Sequence, residues 1–229
     1  STKRQLKKTH GIDMNITNDL VTEYINGFYF PIDEDLSELR KSAEERKVPV
    51  ILRETESLLG FIFRLLKPER VLEIGTAVGY SAAFFIRSGA QKVVTIEKDI
   101  ETAKEAERNI SAMGLDHKIS VMTGDGETVL REKLQGEDPF DLIFIDAAKS
   151  HYKRFLDASL PLCKKGALII SDNVLLKAAT ASDDFDPAGR FKTNIKNMRR
   201  YINYISQHPD LDTVILTCGD GLALSRYKK

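Results

Sequence analysis

Apolar positions along this chain change their period near Arg70, and the change divides the predicted elements into two groups. Before it, three helical patterns follow one another. Leu20, Tyr24, Ile25 and Phe28 share one helical face, and Pro31 ends that run. Asp33 is placed to cap a second helix reaching to about Lys47, followed by the extended pair Val48-Pro49. Leu52, Leu59, Ile62, Phe63 and Leu66 mark a third helix before Pro68. Beyond Arg70, short apolar runs at 71–74, 93–96, 119–122, 142–145 and 168–170 read as strands, with helices starting near Gly79, Ile100, Glu127 and Lys149. Continuous apolar strands joined by helices predict a parallel sheet covered on both faces. Runs at 213–216 and 222–225 around Gly219-Asp220-Gly221 predict an antiparallel hairpin with an Asp-Gly turn. The fold expected is α/β: a doubly wound, mostly parallel sheet with an antiparallel C-terminal hairpin strand, preceded by helices. A single domain is expected over 1–229, with 1–67 a helical cap and 68–229 the core.

Composition narrows the class without naming a chemistry. Thirty-four Lys and Arg cancel thirty-four Asp and Glu, which excludes a global polycation but not a local basic patch. The most apolar stretch, Leu58 to Leu66, is interrupted by Arg64 and too short to span a bilayer. The first thirty residues lack the basic-then-apolar order of a signal peptide. Cys163 and Cys218 make no disulfide framework, so a cytoplasmic enzyme with no membrane partner is expected.

In doubly wound sheets ligands bind beyond the carboxyl ends of the strands, and the chemistry-bearing residues cluster there. Gly75 and Gly79 bracket a strand-to-helix turn whose free N–H groups can take a carboxylate or phosphate. Ala77 occupies the place where a dinucleotide fingerprint needs its second glycine for a pyrophosphate, which argues against a nicotinamide oxidoreductase. Glu97, ending the second strand, can accept both hydroxyls of a ribose. Thr123-Gly124-Asp125-Gly126, ending the third, is placed to flank an adenine. A carboxylate site, a ribose site and an adenine site without a phosphate site suit S-adenosylmethionine. Strands four and five end in Asp146 and in Asp172-Asn173. Two carboxylates and an amide oxygen at adjacent strand ends are hard ligands, suited to magnesium or another hard divalent cation, and no His or Cys joins them to favour zinc. The alternative is that each acid only caps the helix that follows.

The motifs Glu-Ile-Gly-Thr-x-x-Gly-Tyr-Ser, Asp-Ala-x-Lys and Ser-Asp-Asn-Val-Leu together resemble the metal-dependent class I O-methyltransferases, the group that includes catechol and caffeoyl-CoA methyltransferases. The resemblance runs from about Val48 to the C-terminus. It implies Asp146, Asp172 and Asn173 as magnesium ligands, Glu97 on the ribose, Ser81 on the methionine carboxylate, and Asp125 with Gly126 at the adenine. It further implies that Glu73 and Gly75 shape the methionine end, that Val48 closes over the cofactor, that Asp146 touches cofactor as well as metal, and that Lys149 is the general base. In this family helices like those before Val48 build a homodimer and cover the active site.

The ending Gly-Asp-Gly-Leu-Ala-Leu-Ser and the segment 190–204 look most like the bacterial branch acting on tRNA 5-hydroxyuridine. The acceptor implied is therefore the wobble 5-hydroxyuridine of tRNA, giving 5-methoxyuridine, with a small catechol-like phenol as the alternative. Arg190, Lys192, Lys196, Arg199 and Arg200 form an acid-free run that could follow a phosphate backbone together with the basic stretch 1–10, or simply be a solvated helix face. The segment 174–189, rich in Ala, Ser and Asp, is expected to form a substrate lid or a tolerated surface insertion.

Overall fold

A computed structural model of the chain describes residues 16–229, and the basic stretch 1–10 lies outside them. Seven strands form one sheet: β1 (Arg70–Ile74), β2 (Lys92–Glu97), β3 (Ile119–Thr123), β4 (Phe140–Ile145), β5 (Cys163–Ser171), β6 (Leu211–Leu216) and β7 (Leu222–Tyr227). Their order is β3-β2-β1-β4-β5-β7-β6. The first five pair in parallel, and β7 runs antiparallel between β5 and β6. Strand order reverses between β1 and β4, which places the ligand crevice at their carboxyl ends.

Among the described residues three helices precede the sheet: α1 (Asp19–Asn26), α2 (Glu34–Glu45) and α3 (Arg53–Leu66). The rest are α4 (Tyr80–Arg87), α5 (Ile100–Ala112), the short α6 (Gly126–Thr128) running into a π-helical turn Val129–Lys133, α7 (Tyr152–Ser159) and α8 (Lys192–Ser206). Side chains alternate across the sheet and fill two cores. Val71, Leu142, Phe144 and Ile170 meet α2 to α5 on one face, where Phe85 stacks on Phe63 with ring centroids 4.5 Å apart. Leu72, Ile143, Ile145 and Ile169 meet the π-helical turn, α7 and α8 on the other.

The predicted elements are present, with local differences. Asp33 caps α2 through Leu36 N at 2.9 Å. α7 starts at Tyr152 rather than near Lys149, because 148–151 form a turn that leaves Lys149 free of the helix. β5 begins at Cys163, five residues earlier than its apolar run, since Cys163 already pairs with Phe140 of β4, ahead of a register irregularity that precedes the Leu168–Leu142 pair. The hairpin loop spans 217–221 and closes through Gly221 N on Cys218 O at 3.0 Å, so it is wider than a two-residue Asp-Gly turn. The first helical face exists but is not buried: Leu20 is 75 % exposed and Tyr24 70 %, while Phe28 lies beyond the end of α1.

Candidate active site

The carboxyl ends of β1 to β5, the segment 49–52 and the hairpin loop enclose a cavity of about 850 Å³, ample for a nucleoside-sized ligand. At the end of β1 the chain must pass close to β4. A Cβ on Gly75 would lie 2.1 Å from Asp146 O, and Gly75 has φ +106°, a conformation side chains rarely adopt. α4 starts without a side-chain cap, leaving its first N–H groups available beside Tyr80 and Ser81, both of which line the cavity.

Among the described residues, backbone alone holds Glu97. Its Oε1 accepts from Lys98 N at 2.8 Å and Asp99 N at 3.1 Å, and its Oε2 from Ala77 N at 3.1 Å. Ala77 sits in left-handed backbone at φ +46°, which turns its N–H toward the carboxylate. Asp125 and Gly126 line the same cavity, although Asp125 also caps α6 through Thr128 N at 3.2 Å. Gly126 is packed so that a Cβ would meet the Phe155 ring at 2.8 Å. Glu73 stands apart: it is fully buried on the α2–α5 face and is not in the cavity wall. Burial pushes its carboxyl up to about 8, against the opposing effect of the Ser81 and Thr95 hydroxyls. Among the described residues only Thr95 makes a complete hydrogen bond, to Oε2 at 2.6 Å, and none pairs with Oε1. Val48 packs against the core, and its successors Pro49, Val50, Ile51 and Leu52 form the wall expected of it.

Asp146, Asp172 and Asn173 come together in the cavity, joined by Lys149. Neither acid caps the helix that follows it: α7 has His151 at its cap with no side-chain bond, and the 3-10 turn Asp183–Phe185 is capped by Ser182. Lys149 Nζ donates to Asp146 Oδ1 at 3.0 Å, Asn173 Oδ1 at 2.7 Å and Tyr152 Oη at 2.8 Å. The Tyr152 proton is spent on Asp172 O at 2.8 Å, so all three Lys149 partners are acceptors, the arrangement of an ammonium. Asp172 is 1 % exposed, and burial beside the Asp146 carboxylate raises its pKa well above the usual range. Hard oxygens thus converge on a cation supplied here by Lys149, a donor set that fits a divalent ion. Among the described residues no group of three or more His, Cys, Asp and Glu could hold a metal, so any ion would rely on two carboxylates, one amide oxygen and water. Asn173 adopts φ +55°, left-handed backbone that asparagine tolerates better than most residues.

Two participants escaped the sequence reading. Asp220, read there as a turn residue, lines the cavity and accepts from Lys177 N; burial raises its carboxyl above the ordinary range. Tyr152 anchors Lys149 from beneath. Local sequence carries no signal for Asp220, because only the placement of β7 beside β5 brings the hairpin loop to the site; Tyr152 stands three residues past Lys149, and its bond to Asp172 O depends on β5 lying beside β4.

The segment 174–189 is pinned rather than free at its start, by Val174 N on Gly221 O at 2.9 Å and Leu175 N on Asp220 O at 3.1 Å. Of the five basic candidates, Lys192, Lys196, Arg199 and Arg200 line a separate groove of about 450 Å³, shared with Asp183 and Asp186. Arg199 is committed within the chain, donating to Thr180 O at 2.8 Å and Ala179 O at 3.1 Å and pairing with Asp183 at 2.8 Å. Arg190 is exposed and outside that groove.

The family model for O-methyltransferases matches residues 31–228. A catechol O-methyltransferase of Niastella koreensis is 28 % identical over 219 residues, covering 91 % of this chain and 96 % of its own. A structure of a candidate caffeoyl-CoA O-methyltransferase from Staphylococcus aureus superposes with a TM-score of 0.84 at 28 % identity, over 91 % of this chain and 100 % of that one. An O-methyltransferase from Bacillus cereus in complex with SAH has a TM-score of 0.78 at 26 % identity, over 91 % and 97 % of the two chains.

Proposed function

This chain belongs to the O-methyltransferase family and is an S-adenosylmethionine-dependent enzyme; on that premise we propose that it methylates one hydroxyl of a vicinal oxygen pair, as in a catechol-like phenol, at the Asp146–Asp172–Asn173 cluster. The observation that carries the proposal is the convergence of those three side chains with Lys149 on one wall of the cavity that Glu97 and Ser81 also line. Glu97 would hold the ribose, Asp125 and Gly126 the adenine, and Ser81 with the first turn of α4 the methionine carboxylate; Gly75 keeps β1 close to Asp146. Asp146, Asp172 and Asn173 would hold magnesium or another hard divalent cation. When bound, S-adenosylmethionine supplies the methyl group and the cation acidifies the acceptor hydroxyl. Lys149 can act as base only after losing the proton it donates to Asp146 or Asn173; until then its charge offsets the two carboxylates. Tyr152 keeps the Lys149 Nζ aimed at that cluster. The near walls, Pro49 to Leu52 and the hairpin loop, exclude water and align donor and acceptor, which supplies much of the acceleration.

A second acceptor, the wobble 5-hydroxyuridine of tRNA, offers the same vicinal oxygens and is favoured by the exposed Lys192, Lys196 and Arg200. Asp183, Asp186 and the committed Arg199 weaken that groove as a phosphate track, so the phenol takes precedence. We assign 1–67 as a cap and homodimer segment, on the exposed apolar side chains of α1 and of Phe61, Leu65 and Leu66 in α3, which a second copy would cover. No described helix is long and apolar enough to cross a membrane, and the free thiols Cys163 and Cys218 suit the cytoplasm.

The test is transfer of a labelled methyl group from S-adenosylmethionine to a catechol and to tRNA bearing 5-hydroxyuridine, each with magnesium and with chelator. Magnesium-dependent labelling of the phenol alone supports the leading acceptor, and labelling of the nucleoside establishes the second. Full activity in chelator would overturn the metal assignment.

A further inference from the structure

Behind the Ser81 end of the cavity lies a buried polar cluster that the chemistry above does not use. Arg40 on α2 and Glu56 on α3 are 5 % and 2 % exposed and form an ion pair inside the protein. The Glu56 carboxylate also accepts from the Tyr80 hydroxyl at 2.7 Å and the Tyr29 hydroxyl at 2.7 Å. Arg40 donates from Nη2 to Ile51 O at 2.9 Å and from Nε to Tyr80 Oη at 3.2 Å, with its guanidinium 4.6 Å from the Tyr80 ring centroid. Five segments meet here: the α1–α2 connection, α2, the 49–52 wall, α3, and the first residue of α4. Ile51 and Tyr80 both line the cavity, and Ser81 follows Tyr80 directly.

Stability alone is a poor reason for such a pair, because replacing both charges with apolar groups of similar size is often neutral or stabilising for a fold. What a fully bonded ion pair supplies, and apolar packing does not, is fixed distances: the Arg40 fork sets Ile51 relative to Glu56, and Glu56 sets Tyr80 relative to both. We infer that Arg40, Glu56 and Tyr29 are positioning residues, which lock the 49–52 wall against the first turn of α4 at the separation the methionine end of the cofactor requires. The inference rests on the placement of that end at Ser81 and α4 made above.

The experiment is calorimetric binding of S-adenosylhomocysteine to the full chain, with thermal unfolding in parallel. The double variant Arg40→Met/Glu56→Met removes both charges together, so neither is left buried alone. It is expected to melt within a few degrees of the parent and to bind at least tenfold more weakly. Tyr29→Phe and Arg40→Lys are the milder pair, keeping the charges while removing one hydroxyl or the guanidinium fork; each is expected to weaken binding several-fold with an unchanged melting point. Parent-like affinity in the folded double variant, or in both milder variants should the double not fold, would overturn the inference, as would a lowered melting point with affinity intact. Ser81→Ala separates the two readings. Parent-like binding there, with weakened binding in the Arg40 and Glu56 variants, would retain the positioning role and remove Ser81 from the methionine site.

Discussion

Changing Glu97 tests the placement of the cofactor most directly. Three backbone N–H groups fix its carboxylate at 2.8 to 3.1 Å, so the acceptor geometry exists before any ligand arrives. A ribose offers two hydroxyls, and a hydrogen bond to a charged group contributes about 1.5–3 kcal/mol. Glu97 is only half-buried and water competes for it, so the lower figure applies to each bond. Glu97→Ala should then cost about 3 kcal/mol, roughly 100-fold in Kd for S-adenosylhomocysteine. Glu97→Gln keeps one acceptor oxygen but turns an NH2 toward backbone donors, and should lose about tenfold. Calorimetry gives both values, with thermal unfolding as the control for folding. Removal of Ala77's partner could loosen the β1 loop by itself, so a cycle with a ligand lacking the ribose 2′-hydroxyl is decisive. The deoxy ligand should bind the parent more weakly but Glu97→Ala no more weakly than the full ligand does. Equal penalties in both proteins, or parent-like affinity in a folded Glu97→Ala, would refute the ribose site.

Other consequences can be checked as simply. Gly75→Ala should cost more than about 4 kcal/mol or prevent folding, because its Cβ meets the Asp146 carbonyl at 2.1 Å, whereas Gly126→Ala meets a movable Phe155 ring at 2.8 Å and should cost less in denaturant titration. Glu73 retains in the folded protein a proton that the unfolded chain releases, since its carboxyl is raised from 4.5 to about 8. Stability should therefore be fullest below pH 4.5 on this account and fall as pH rises toward 8, at up to about 1.4 kcal/mol per unit. Glu73→Gln should flatten that slope in melts run across the window, and identical slopes would contradict the assignment. Changing Lys192, Lys196 and Arg200 together to Glu should reduce methyl transfer to tRNA while sparing a catechol; equal losses on both would remove the case for a phosphate track.

Period and punctuation determined the fold class. Switching from helical spacing before Pro68 to apolar strands after Arg70 predicts a covered parallel sheet, and Gly219 to Gly221 predicts the hairpin, because burial on one or two faces leaves a periodic mark in the chain. Strand-end position likewise marked Glu97, Asp146, Asp172 and Asn173, since polar residues closing apolar runs have no core role to explain them. Tertiary structure decided the rest. Lys149 reaches Asn173 across 24 positions only because β4 and β5 are neighbours. Asp220 becomes a wall of the cavity because β7 inserts beside β5. Arg199, one of a run of similar cations, is withdrawn from any ligand by two loop carbonyls and Asp183. The buried Arg40–Glu56 pair looks in sequence like two more charges on amphipathic helices. What each such residue does depends on which distant groups the fold brings within 3 Å of it, and one-dimensional spacing does not carry that information.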